Sequence, residues 1–157
     1  MAFTSNEARL RTVVGGSGSP INLKTDSGIK VMLVQSSYTP DRDHQFVSSI
    51  TDSPSKELSG TGYVAGFGGS GRKACAGRDI VKVDASDLVK FVFDDMTWAA
   101  INAGTARYAY LIKEVTSDAD SPIIGYADLN PTGGITFNGN DWTLDVPANG
   151  FLTWKSP

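Results

Sequence analysis

Near the end of the chain, Trp142, Leu144 and Val146 alternate with Thr143 and Asp145, a period of two that predicts a strand with one buried face. Residues 147–150 supply turn chemistry and residues 151–154 resume an apolar run, so residues 141–154 read as a terminal hairpin tied into a core. Residues 29–35 are apolar on both faces and predict a central strand. In residues 88–93 one face holds Val89, Phe91 and Phe93; in residues 106–113 one face holds Tyr108, Tyr110 and Ile112. Further strands are expected at 63–65, 80–83, 123–129 and 135–138. A single helix is expected over 41–50, with Thr39 as N-cap, Pro40 at the first helical position, and Phe46 and Ile50 facing inward.

Short strands at intervals of about eight to twelve residues, divided by Gly, Pro and Asn turns, predict a mainly β chain. The expected fold is an antiparallel β-sandwich or jelly roll over residues 21–157, with one short helix. No helix alternates with the strands, which argues against a parallel α/β sheet. Residues 1–20 stand apart as an N-terminal arm with a Gly/Ser linker at 15–20. Residues 6–14 predict one or two helical turns with Arg9 and Arg11 exposed. Leu10, Val13 and Val14 are more apolar than a solvated tail prefers, so a frayed terminus and an arm that orders against a neighbour both remain open.

Composition sharpens the picture in two places. Glycine is abundant at 17 of 157 residues with no collagen period, which fits many tight turns. The net charge is −3, with 14 basic and 17 acidic residues mixed along the chain. That leaves no basic stripe for nucleic acid and no electrostatic membrane patch. No apolar run is long enough to span a bilayer, and the N-terminal residues lack signal-peptide character, so synthesis in the cytoplasm is expected. Cys75 is the lone cysteine and reads as a small buried hydrophobe.

Candidate chemistry is weak throughout. Residues 66–71 satisfy G-x-G-x-x-G, but extended chain is expected after Gly71, where a dinucleotide site needs a helix. Arg72, Lys73 and Arg78 are expected to be exposed and make this a contact loop. His44 is the sole histidine, and its neighbours Asp41 and Asp43 suit a helix N-terminus better than a metal site. Asp94, Asp95, Asp118, Asp120 and Asp141 occupy turn-type positions rather than a glycosidase pair. No cofactor is expected. Trp98 and Trp142 leave a carbohydrate-binding module open as an alternative, and a hydrolase using His44 is a third option.

Four phrases in order carry a resemblance. They are Lys30-Val-Met-Leu-Val-Gln-Ser-Ser-Tyr-Thr-Pro-Asp41 with His44 and Phe46; Ser59-Gly-Thr-Gly-Tyr63; Thr105-Ala-Arg-Tyr-Ala-Tyr-Leu-Ile-Lys113 with Pro122-Ile-Ile-Gly-Tyr-Ala-Asp128; and residues 142–151 with their Ala-Asn-Gly-Phe. Together, over residues 21–154, they resemble small virion structural proteins of tailed bacteriophages, of the head decoration or capsid cement type. The resemblance implies a non-enzyme on the capsid surface of the virion, whose partner is the major capsid protein and whose form is a homo-oligomer, a homotrimer by expectation. A head fibre, neck or tail component is the alternative within the virion. The expected capsid or subunit contacts are Arg9, Leu10, Arg11 and Val13 of the arm, with Arg72 and Lys73 after the glycine loop.

Overall fold

The apolar run at Ile29–Gln35 becomes a strand flanked on both edges, because side chains pointing to either side of it find a core. A computed structural model describes residues 2–4, 20–52 and 54–155. Its strands are β1 (Ala2–Thr4), β2 (Ile29–Gln35), β3 (Lys73–Ala74), β4 (Asp79–Val83), β5 (Leu88–Val92), β6 (Met96–Trp98), β7 (Thr105–Lys113), β8 (Ile123–Asp128), β9 (Ile135–Thr136), β10 (Trp142–Leu144) and β11 (Leu152–Lys155). A four-residue helix, α1 (Ser48–Thr51), lies between β2 and β3. Among the described residues no helix is long and apolar enough to cross a membrane.

The main sheet runs β1-β8-β7-β2-β3, with β9 also pairing β7, and the pairings are antiparallel. Two small sheets accompany it, β11-β5-β4 and β10-β6. The register sets Val31 opposite Leu111 and Leu33 opposite Ala109 on one face. That face packs against Phe91, Phe93, Trp98, Leu144, Phe151 and Leu152 of the small sheets and their connections. On the opposite face Met32, Val34, Tyr108, Tyr110 and Ile112 are covered by Tyr38, Val47 and Ile50. Each large apolar side chain buried here contributes about 1.5–3 kcal/mol, so the expected mainly β, sandwich-like architecture has a core on both sides of its largest sheet.

The terminal hairpin does not form. Trp142 pairs with Trp98 and Leu144 with Met96, whereas Leu152 pairs with Phe91 and Trp154 with Val89. The two last strands join different sheets because residues 145–151 hold on elsewhere: Val146 N–H donates to Asp95 Oδ1 and Phe151 N–H to the Phe91 carbonyl. Trp142 is half-buried, 5.4 Å from Trp98 and 5.3 Å from Phe137 between ring centroids.

The expected helix over 41–50 shrinks to its last turn. The Asp41 carboxylate accepts the Asp43 amide, a local turn that competes with helix. Residues 45–47 are then drawn alongside the start of β8, with Ile123 N–H donating to Gln45 O and Val47 N–H to Ser121 O. Thr39 and Pro40 therefore start no helix, and Phe46 is half-buried where it bridges Pro122, while Ile50 is buried as expected. Residues 63–65 form no strand, since Gly60 and Tyr63 close a tight turn on each other. Residues 6–14 and the linker lie outside the described residues, apart from Pro20.

Candidate functional site

The glycine-rich stretch after Tyr63 is a loop whose shape its glycines permit. Gly66 and Gly68 adopt φ of +90° and +71°, conformations that side-chain-bearing residues rarely take. A Cβ at Gly71 would stand 2.4 Å from the Tyr63 ring, so only glycine lets the loop close over that ring. Gly71 N–H donates to Val64 O at 2.9 Å and ties the loop's two ends together. Strand β3 follows immediately, and without a helix N-terminus the G-x-G-x-x-G pattern has no pyrophosphate site.

Beneath the loop sits Arg72. Its guanidinium is fully buried and spans three carboxylates. Nε and Nη2 reach Glu57 Oε1 and Oε2 at 2.9 and 2.7 Å; Nη1 and Nη2 reach Asp118 Oδ1 and Oδ2 at 2.6 and 3.0 Å; Nη1 also reaches Glu114 Oε1 at 3.1 Å. Lys30 of β2 pairs with Glu114. Tyr63 donates its hydroxyl to Glu57 Oε1 and accepts the Leu33 amide, which locks the cluster to the central strand. Thr51 of α1 donates to Asp118 Oδ2 at 2.7 Å. The same carboxylates accept the loop's amides, Gly66 N–H to Glu57 Oε2 and Gly68 N–H to Glu114 Oε1.

Electrostatics make this cluster an all-or-none assembly. Burial works against the Arg72 charge, but its pairs with Glu57 and Asp118 hold its pKa above the ordinary arginine value. Burial likewise pushes the Asp118 carboxyl up, and the hydrogen bonds from Arg72 and Thr51 outweigh it, leaving that pKa below the usual range. Burial and the Glu57 charge push the Tyr63 phenol well up. Three carboxylates face two cations, so the cluster keeps one net negative charge. A desolvated network of this kind holds only while every partner is present.

The clamp displays apolar side chains. Val64 is 60% exposed and Phe67 47% exposed on the loop, and Val115, next to Glu114, is 48% exposed. The Gly68–Glu114 bond brings the loop tip against the segment that bears Val115. Large apolar groups held in water on a rigid frame suit contact with a partner surface.

The expected contact residues fare differently. Arg72 is not exposed: at 3% accessibility it is the buried centre of the clamp, because three carboxylates from distant segments surround it. Lys73 is half-buried with its ammonium 5.7 Å from the centroid of the Trp98 ring. Arg78 is also partly buried and donates to the Leu23 and Asp26 carbonyls. Arg9, Leu10, Arg11 and Val13 lie outside the described residues.

Trp98, on which the carbohydrate-binding alternative depends, is 1% exposed and donates its indole N–H to Gly71 O at 2.7 Å, so it supports the loop from below. Asp95 and Asp141 accept amides from distant segments, Val146 and Ala100, rather than from their own turns. His44 Nδ1 lies 2.6 Å from the Tyr38 hydroxyl and Nε2 lies 3.9 Å from Asp41 Oδ2. That places His44 at the edge of a tyrosine layer in which Tyr110 stacks on Tyr126 at 5.0 Å. Burial pushes the Tyr38 phenol up to about 12. Among the described residues no group of three or more His, Cys, Asp or Glu is placed to hold a metal ion.

Glu57, Glu114 and the role of Asp118 were invisible in the sequence. No short spacing links 57, 72, 114 and 118; only the fold brings them together. Comparison with protein-family models, curated proteins and solved structures found no match to this chain.

Proposed function

We propose that this chain is a bacteriophage head decoration protein that binds the outer surface of the capsid and stabilises the shell. The reading rests first on the ordered phrases spread over residues 21–154, and it is a binding role without catalysis. The structural observation that favours it is the Arg72 clamp, which fixes a glycine loop and holds Phe67 and Val64 in solvent. A loop already held in shape loses little entropy when it docks, so its apolar tip can contribute fully to affinity. A ligand that binds only the assembled shell shifts the equilibrium towards assembly. The major capsid protein is the proposed partner and a homotrimer at local three-fold positions the proposed form, since lattices favour closed symmetry. Arg9, Leu10, Arg11 and Val13 of the arm are proposed as a second contact.

The test mixes the purified chain with capsids of its phage that lack it, followed by co-sedimentation and cryo-microscopy. Saturable density on the outer capsid lattice is expected, with occupancy falling at least tenfold for Phe67→Asp. Density confined to the neck or tail, or no binding to heads, would overturn the decoration role.

A further inference from the structure

We propose that β4 is a two-fold contact between two copies of this chain, formed by antiparallel pairing of β4 with β4 of a second copy about Val81.

Among the described residues β4 pairs with β5 alone and leaves its other edge open. The strand is five residues, Asp-Ile-Val-Lys-Val, without proline, and its pairing with β5 runs without a register shift. Such an edge is a template for another strand. Its backbone faces the right way. The Ile80 amide donates to Asp79 Oδ1 rather than to a strand, and ladder alternation turns the Lys82 backbone to the same open side.

Charge selects the register. A two-fold axis perpendicular to the sheet keeps each face on its own side, so the centre must fall on a residue. Centring on Lys82 sets Lys82 against Lys82, and centring on Ile80 sets Arg78 against Lys82, both like-charge pairs. Centring on Val81 sets Ile80 opposite Lys82 in the hydrogen-bonding positions and Asp79 opposite Val83. Arg78, which donates to the Leu23 and Asp26 carbonyls, and Asp84, which pairs with Lys82, lie just beyond the strand ends. No like charges then oppose one another. The Ile80 amide exchanges its local bond to Asp79 Oδ1, which also holds Lys24, for the Lys82 carbonyl of the second copy, and the Lys82 amide pairs with the Ile80 carbonyl.

The apolar surfaces also match. Ile80 is 40% exposed although its row continues into the buried Phe91 and Leu152. In the paired copy it meets Lys82, whose own row runs on through Val89 to Trp154. Those residues, with Val83 and Leu88, line an open depression. Ile80 of each copy therefore borders the depression of the other, under the aliphatic stem of Lys82. This two-fold contact is independent of capsid binding and of the proposed three-fold contact; in solution it would join copies, or trimers of them, in pairs.

The test is Val81→Cys in the full chain under mild oxidation. A centred antiparallel pair places the two Cα atoms about 4.5 Å apart, inside disulfide range. Cys75 is buried, which keeps it out of the reaction. A covalent dimer on a non-reducing gel is expected, with at least tenfold less for Thr153→Cys, whose strand β11 is separated from β4 by β5. Ile80→Lys, which sets lysine against Lys82, is expected to halve the mass seen by light scattering while leaving the circular dichroism spectrum intact. Equal cross-linking at positions 81 and 153, no cross-linking at 81, or a mass unaffected by Ile80→Lys would overturn the proposal.

Discussion

The Arg72 guanidinium grips the Glu57 carboxylate through two bonds, Nε to Oε1 at 2.9 Å and Nη2 to Oε2 at 2.7 Å, with both side chains sealed from water. These two residues lie fifteen positions apart, on either side of the turn that contains Tyr63. Their pairing turns a glycine-rich stretch into a fixed loop.

Removing one partner strands the others. Arg72→Ala leaves the Glu57 carboxylate buried without its cation and is expected to cost about 3–5 kcal/mol, read by chemical denaturation. Arg72→Met with Glu57→Leu removes both charges of that pair but leaves Asp118 and Glu114 without the guanidinium and Tyr63 and Gly66 without their acceptor, so only a part of that loss is expected to return. A single variant as stable as the parent would show that the clamp does not hold the fold.

Acid should release the clamp. The Asp118 pKa is depressed in the folded chain from its ordinary 3.8, so its stabilisation is full above that value and is lost as pH falls through the lower folded pKa. Asp26 behaves the same way: partial burial raises its pKa, and the hydrogen bonds from Lys113 and the Asn22 amide, with the Lys113 and Arg78 charges, together outweigh it. The melting temperature is therefore expected to drop steeply below pH 4. Asp118→Asn should flatten that acid limb, while above pH 5 it should melt lower than the parent. A parallel pH profile for the variant would remove Asp118 from this role.

The loop tip should be separable from stability. Phe67→Ser removes an exposed ring and is expected to change unfolding free energy by no more than about 0.5 kcal/mol. Gly71→Ala, in contrast, drives a methyl group into the Tyr63 ring and is expected to cost about 1–3 kcal/mol. Thermal melts of the two variants side by side check the contrast.

Among the described residues the Tyr110 hydroxyl is buried with no well-formed hydrogen bond, and burial, with the neighbouring Tyr38 phenol, pushes its own phenol well above the ordinary value. Tyr110→Phe deletes a desolvated polar group and keeps the ring stacked on Tyr126. It is expected to leave stability unchanged or raise it by about 1 kcal/mol, measured by denaturant unfolding.

Much of this architecture was legible in the chain. The two-faced apolar run at Ile29–Gln35 and the one-sided rows Phe91/Phe93 and Tyr108/Tyr110/Ile112 specify strands with particular buried faces, because alternation is a local property of the backbone. Partner choice was not legible. The segment from Asp141 to Trp154 has the right composition for a hairpin, yet Trp142 finds Trp98 and Trp154 finds Val89, because the core offers each face a better neighbour than the other half of the segment. Residues 41–50 lost most of their helix to the edge of β8 for the same reason.

By itself the sequence determined a mainly β chain, the buried faces of its longer strands and the loop after Tyr63, since these follow from side-chain period and from glycine's freedom at positive φ. Only the tertiary structure decided that Arg72 is a buried clamp rather than an exposed contact and that Trp98 is a support rather than a platform. The reason is physical. A charge is buried only when opposite charges converge on it in space, and the convergence of Glu57, Glu114 and Asp118 on Arg72 is set by strand order, which no local pattern encodes.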